Sequence, residues 1–256
     1  APDAQQSDGD KPLAPSHYYA RLTQRLIAAV SAPTAEGVLY ELDLRLRPSA
    51  TKGPVATHIE AFRKYQRTDA WTWEHMALTR ARPVAGEASL CDDAYDDVQE
   101  IVSIRRDRAK LMRDAVDMRR LLEEEKPPRN IWDLKLIRGG IIDLEFIAQV
   151  ARLSGFCTAK PGTTATAEIL AQLSPEFADA QTRDDLVAAH HLYETLMQIV
   201  RLCLTEPLDP EDVPPGLADI LLRSVDLPDL GVLEAHLEET ASRVREHFER
   251  LLTMRA

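Results

Sequence analysis

The sequence has few cysteines, fewer basic than acidic residues, and no long apolar run. Three cysteines (Cys91, Cys157 and Cys203) lie far apart without CxxC spacing, which argues against a disulfide framework and a cysteine zinc site. The chain has a formal charge of -11 and so lacks the basic surface that nucleic-acid binding requires. No apolar run is long enough to form a membrane span. We therefore expect an acidic cytoplasmic protein without nucleic-acid or membrane partners.

Familiar catalytic motifs are missing as well. The chain contains no GxSxG, HExxH or GxxxxGK[ST] pattern. Its seven histidines do not fall at ligand spacing with acids on one face, and the apolar surroundings of His190 and His191 favour core or boundary positions over metal ligation. The first residue is not Met, and residues 1–13 are polar, which predicts a mobile lead-in and a piece of a longer protein.

Apolar spacing predicts that helices dominate the chain. Ser16 is expected to cap a helix over residues 17–30, and further helices are predicted over 58–67 and over 70–82, with Asp69 as a possible cap of the last. We expect a small α/β piece over residues 14–105 and a helical bundle over 106–256, so the fold class is mainly α. The tryptophans are interpreted as packing anchors rather than as a nucleobase platform: Trp71, Trp73 and Trp132.

Residues 38–48 carry the pattern with the most chemical content. Leucines alternate there with four charged residues, which predicts a strand with one apolar face and one charged face. The charged residues are Glu41, Asp43, Arg45 and Arg47. Pro48 and a Lys52-Gly53-Pro54 turn follow, and this combination favours a phosphate or metal site. A solvated edge strand is the alternative, because charges also protect strand edges.

A second charged group surrounds Gly139-Gly140. The helix after the glycines is apolar on nearly all sides, which predicts burial. Asp143 on this helix should be partly buried and should need a partner such as Lys135 or Arg138. A structural ion pair is favoured over direct catalysis for the group, which consists of Asp133, Lys135, Asp143 and Glu145.

Two long segments carry a family resemblance. The stretches YELDLRLRPSATKGPVATHIEAFRKYQRTDAWTWEHMALTRARPVAG and WDLKLIRGGIIDLEFIAQ resemble the bacterial glutamine synthetase adenylyltransferases, and the likeness extends over nearly the whole chain. The AWTWEHMALTRAR segment resembles the corresponding segment of the C-terminal, AMP-attaching half. The resemblance implies a nucleotidyltransferase domain of the DNA polymerase β type followed by helices. It also implies ATP and Mg²⁺ as cofactors, glutamine synthetase as substrate, and regulation by the PII signalling protein and glutamine.

The resemblance also implies roles for individual residues. Asp43 matches the third metal-binding carboxylate of the superfamily, with a strand aspartate paired to Arg45 as the alternative. Arg45 and Arg47 match the RLRP pattern, where guanidinium groups suit phosphate oxygens, although either could pair with Glu41 or a helix terminus. The Lys52-Gly53 turn is expected to bind nucleotide.

The sequence departs from the family in one major respect. The GSxxDxD motif, which carries the first two metal carboxylates, does not occur in these 256 residues. We therefore expect a fragment that transfers no AMP in isolation. Ala50, where the family often has Gly, puts the geometry of the turn in question. The alternatives are a non-catalytic helical interaction module and the AMP-removing, phosphorolytic half of the same enzyme.

Overall fold

The computed structural model describes residues 6–38, 42–49 and 52–253. Within these residues the chain forms ten α-helices and a single two-stranded hairpin, so the prediction of a mainly α protein is confirmed. The chain divides into two compact units, one ending at Trp71 and the other beginning at Thr72. The domain border proposed from the sequence between residues 105 and 106 stays a prediction.

The first unit contains two helices and the hairpin. Its elements are α1 (Pro15–Val30), β1 (Pro33–Thr34), β2 (Gly37–Val38) and α2 (Ile59–Thr68). Pro15 occupies the first turn of α1 after Ala14, because its fixed φ suits that position and its missing N–H costs nothing there. Ser16 therefore lies inside the helix, and its prediction as the cap is wrong.

Helix α1 has an apolar face that nothing in its described surroundings buries. It contains no buried residue, and Leu22 and Leu26 are 50% and 57% exposed. Residues 6–13, the described part of the predicted lead-in, form no helix or strand and are closed by hydrogen bonds between Ser7 and Leu13. Residues 1–5 of that lead-in lie outside the described residues.

The strand predicted over 38–48 is wrong for its described part after Val38. Residues 42–44 are irregular and 45–49 form turns, while Glu41 and Ala50 lie outside the described residues. A strand needs a neighbour to take up its backbone donors and acceptors. The described hairpin instead pairs only Pro33–Thr34 with Gly37–Val38. The chain turns, and Ser49 adopts a left-handed φ of 61°.

The second unit is a helical bundle. Its helices are α3 (Thr72–Leu78), α4 (Ala88–Ser103), α5 (Arg108–Glu125), α6 (Ile141–Ser154), α7 (Thr166–Ala171), α8 (Ala180–Cys203), α9 (Pro215–Val225) and α10 (Leu230–Leu252). Helix α6 contacts α3, α4, α5, α7, α8 and α10. Twelve of its fourteen residues are buried, which confirms the burial predicted from its apolar surface.

Gly139 fixes how the segment before α6 meets α10. Its φ is +80°, and a Cβ at this position would overlap the carbonyl oxygen of Ala241. Only glycine meets both requirements, because an L side chain is strained at this φ and has no space here. The Gly139-Gly140 pair therefore allows a close backbone approach between α10 and the start of α6.

Several sequence expectations need correction at element ends. Asp69 is the C-cap of α2 and not the N-cap of α3, which is shorter than predicted. Thr79 and Arg80 bond to carbonyls three residues back and so leave the α-helical pattern. Trp132 is buried as a packing anchor, whereas Trp71 is 70% exposed and is not one.

None of the described helices is long and apolar enough to cross a membrane.

Candidate functional site

Asp43 lies in the exposed segment between the hairpin and the Lys52-Gly53 turn. Its Oδ1 accepts hydrogen bonds from the Arg45 backbone N–H at 2.9 Å and from Arg45 Nε at 3.0 Å. Its Oδ2 accepts from Arg45 Nη2 at 2.6 Å. The Asp43 and Arg45 side chains remain 54% and 75% exposed. The alternative of an aspartate paired to Arg45 is therefore observed, though in a turn instead of a strand, and the carboxylate stays open to solvent.

These hydrogen bonds set the ionisation of the pair. The Arg45 side chain, and then its backbone N–H, lower the pKa of Asp43 to about 2. The Asp43 carboxylate in turn raises the pKa of Arg45. Asp43 is therefore ionised at any physiological pH, which is the state that a hard divalent cation requires of a ligand.

Arg47 makes a different set of contacts. Its Nη1 donates to the Leu44 carbonyl at 2.6 Å, and its Nε donates to the Gly53 carbonyl at 3.3 Å. A Cβ on Gly53 would overlap the Pro48 carbonyl. Arg47 thus ties the turn after Asp43 to Gly53, while the Lys52 side chain is exposed beside it.

The second predicted cluster contains a buried ion pair. Asp143 is fully buried and Arg119 is 1% exposed. Arg119 Nε donates to Asp143 Oδ1, and the Gly139 N–H donates to Asp143 Oδ2 at 2.6 Å. Arg119 Nη2 also donates to the carbonyls of Leu136 and Ile137 at 3.1 and 3.0 Å. Both charges are well supplied with partners, as burial demands.

Further groups join the buried pair from α5, α8 and α10. Arg245 lies 2.8 Å from Glu123 and 3.4 Å from Asp143. Tyr193 donates its hydroxyl to the Gly139 carbonyl at 3.1 Å. Burial, and secondarily the Asp143 charge, raise the pKa of the Tyr193 hydroxyl. The cluster thus links four segments of the bundle, which supports a structural role.

The partners proposed from the sequence for Asp143 are wrong. Arg138 pairs with Glu249 at 3.3 Å, and the partners of Asp143 among the described residues are Arg119, Arg245 and the Gly139 N–H instead of Lys135. Glu145, from the same predicted group, pairs with Arg80 at 2.6 Å. The true partner, Arg119, was missed because it lies on α5. A signal was present in the sequence, since Arg119 follows Leu111 and Ala115 at four-residue spacing and so shares their buried face.

A separate cavity of about 780 Å³ lies where α4 meets α5. None of the predicted site residues lines it. The lining includes four arginines: Arg105, Arg106, Arg108 and Arg152. Arg106, Arg108 and Arg152 donate hydrogen bonds to backbone carbonyls, and the acidic residue Asp107 also lines the cavity. Its lining thus carries more basic than acidic side chains, which favours an anion over a cation.

Comparisons with known proteins match both parts of the chain. Residues 1–95 match the family model of glutamate-ammonia ligase adenylyltransferase, and residues 108–252 match that of GlnD PII-uridylyltransferase. A relative from Mesorhizobium japonicum is 63% identical over 98% of this chain, and one from Brucella suis is 56% identical over 98%. A relative from Bradyrhizobium is 40% identical over 98%.

All three relatives are named bifunctional glutamine synthetase adenylyltransferase/adenylyl-removing enzyme. The chain spans 25%, 25% and 26% of their lengths, respectively. It thus corresponds to about a quarter of each of these relatives.

Proposed function

This chain belongs, through residues 108–252, to the family described as GlnD PII-uridylyltransferase, and we propose that it is part of an enzyme that transfers AMP from ATP to a tyrosine of glutamine synthetase. The adenylyltransferase match over residues 1–95 and the names of the relatives support this choice of reaction. The observation that carries the proposal is the ionised, solvent-exposed carboxylate of Asp43, which is paired with Arg45.

In this proposal Asp43 is one ligand of Mg²⁺. Magnesium in phosphate-handling sites uses one or two carboxylates together with substrate phosphates, so a single exposed aspartate fits part of such a site. The missing GSxxDxD carboxylates would come from other sequence of a longer protein. With Asp43 among its ligands, such an ion would supply the positive charge that stabilises the leaving pyrophosphate.

The neighbouring cations take two different roles. A divalent ion at Asp43 would replace the Arg45 guanidinium, which would then be free to bind phosphate oxygens in its fork geometry. Arg47 would act as a positioning residue, because its contacts to Leu44 and Gly53 hold the turn in place. The exposed Lys52 ammonium and the close-packed Gly53 would lie along the nucleotide.

Exposed apolar surface in the first unit supports the view that further protein covers it. Leu22, Leu26, Leu42 and Leu46 are between 40% and 59% exposed. Leu22 and Leu26 lie one turn apart on α1, and exposed apolar side chains on one helix face are typical of an interface. Within the proposal, glutamine synthetase and the PII signalling protein are partners of the longer enzyme, and its compartment is the cytoplasm.

The test uses the longer enzyme with Asp43→Asn and measures transfer of labelled AMP from ATP to glutamine synthetase. We expect a loss of about a hundredfold or more, because metal stabilisation of transition-state charge contributes several kcal/mol. Glu36→Gln, an exposed acid in the same unit, is the matched control and should keep activity. Transfer by Asp43→Asn within a few fold of the parent enzyme would contradict the proposal and favour a non-catalytic interaction module.

Two further assays separate the remaining alternatives. The AWTWEHMALTRAR segment favours AMP attachment, so Asp43→Asn should spare phosphorolytic removal of AMP by the other half of the enzyme. Loss of removal with intact attachment would assign the chain to the AMP-removing half. The isolated chain should incorporate no label, since it lacks the GSxxDxD carboxylates.

A further inference from the structure

A group of candidate metal ligands lies in the middle of α8, within the second unit. His190, His191 and Glu194 each place a ligand atom within 4.8 Å of the other two. The expectation that no histidines fall at ligand spacing with an acid is wrong here. Glu194 follows His190 by four residues and His191 by three, and both spacings bring side chains together on a helix.

His190 is the member of the group that needs explanation. Its residue is 4% exposed, and its Nδ1 atom is buried without a hydrogen-bond partner. Glu194 Oε2 lies 3.4 Å from this nitrogen, an approach that does not meet hydrogen-bond geometry. A buried polar atom without a partner costs about 1–3 kcal/mol, so such atoms are rare unless something else binds them. The prediction that His190 occupies a core position is therefore right about its burial, but its Nδ1 atom has no hydrogen-bond partner.

The separation of these two atoms matches that of two ligands of one zinc ion. Zinc binds imidazole nitrogen at about 2.0–2.1 Å and carboxylate oxygen at about 2.0–2.2 Å with tetrahedral angles. Two such ligands lie about 3.4 Å apart by that geometry. The observed distance from His190 Nδ1 to Glu194 Oε2 is 3.4 Å.

His191 gives the group its opening to solvent. It is exposed, and its ring stands at 87° to that of His190 with the centroids 6.2 Å apart. Among the charged groups that influence His190, Glu145 favours a cation nearby and Arg80 opposes one. These two side chains form an ion pair with each other, so their effects partly cancel. The carboxylate of Glu194 is then the main local charge facing the imidazoles.

We propose that His190, His191 and Glu194 bind a zinc ion through two imidazole nitrogens and one carboxylate oxygen. Three protein ligands leave a fourth position for water or another small ligand. Helix α8 packs against α6, α7, α9 and α10, so an ion bound here stabilises the second unit by mass action. This proposal does not depend on AMP transfer, and its test measures no activity.

The test is cobalt binding by this chain after removal of metals with a chelator. Co²⁺ serves as the probe because tetrahedral cobalt absorbs strongly in the visible range, and zinc should displace it. We expect one Co²⁺ per chain and a rise in melting temperature with zinc. His190→Gln and Glu194→Gln should each weaken binding by about tenfold or more.

The matched control is His236→Ala, which removes an exposed histidine on α10 and should bind like the parent chain. Glu194→Gln guards against misfolding, because its side chain is 45% exposed and the change keeps its size. Circular dichroism checks the fold of each variant. Absence of the tetrahedral spectrum in the parent chain would overturn the proposal. Equal binding by the parent chain and Glu194→Gln would also overturn it.

Discussion

The two units each contain an aspartate paired with an arginine, and the two pairs differ in almost every physical respect. Asp43 and Arg45 are two residues apart and largely exposed. Asp143 and Arg119 lie on different helices, and their side chains are at most 1% exposed. The first pair can exchange its partner for a ligand at little cost, whereas the second cannot lose a partner without leaving an unpaired buried charge. Exposure therefore separates a candidate site from a structural link.

The largest expected effect breaks the buried pair. Asp143→Asn should reduce the free energy of unfolding by about 3–5 kcal/mol, because the buried Arg119 then loses its hydrogen-bonded counter-charge and keeps only the longer contact to Glu123 at 3.5 Å. Urea denaturation of the chain measures this loss. The double change Arg119→Met with Asp143→Leu should recover part of it, since no unpaired charge is left. A loss below about 1 kcal/mol in the single variant would show that the pair is not the link that we describe.

The next effect tests the backbone that supports the buried pair. Gly139 donates its N–H to Asp143, and Gly139→Ala combines strain at φ +80° with overlap on Ala241. We expect the strain and the overlap together to lower the free energy of unfolding by about 2–5 kcal/mol. Gly155→Ala is the control, because φ is +74° there but the nearest atom is 3.9 Å from the added Cβ. It should cost only about 1–2 kcal/mol, and equal losses in the two variants would argue against the close approach.

A smaller effect concerns alkaline pH. The raised pKa of Tyr193 means that the folded state keeps its hydroxyl neutral while the unfolded chain ionises. The stability contribution of Tyr193 is complete below the unfolded pKa near 10 and decreases as pH rises above it, by up to about 1.4 kcal/mol per pH unit. The free energies of unfolding of the parent chain and of Tyr193→Phe should therefore converge as pH rises above about 10. Parallel curves would contradict the burial of this hydroxyl.

The smallest expected effect concerns the exposed pair. Asp43→Asn should leave the melting temperature of the chain unchanged within error, in low salt and in 1 M NaCl, because exposed ion pairs contribute little. The pKa of about 2 means that any contribution of Asp43 is present above the unfolded pKa near 4 and is lost as pH falls towards 2. A clear destabilisation at neutral pH would place Asp43 with the buried pair and weaken its assignment to a ligand site.

The sequence predicted local features better than it predicted partners. The buried helix α6 follows from apolar residues on all its sides, and α1 follows from its periodic face. Arg119 could not be assigned to Asp143 from spacing, because the contact joins two helices through the folded bundle. The spacing of Glu194 from His190 and His191 was legible in the sequence, but the group was missed because adjacent histidines on an ideal helix point in different directions.

The charged segment shows why a period of two is insufficient evidence for a strand. Its alternation is real, but backbone pairing requires a neighbouring strand, and the described residues offer none beyond the short hairpin. Local hydrogen bonds, accepted by the Asp43 carboxylate and donated by Arg47, stabilise turns instead. The site residues named from the sequence do lie together in this segment, and their catalytic roles stay a prediction.

The close approach of Ala241 to Gly139 also bears on how the chain acquires its structure. The last helix must return to a segment made much earlier, and such distant contacts carry a large entropic cost that slows folding. Until α10 arrives during synthesis, the apolar faces of α5, α6 and α8 that it covers are open to aggregation. Shortened versions that end before Leu230 should therefore be insoluble, even though they would retain every residue of the segment around Asp43.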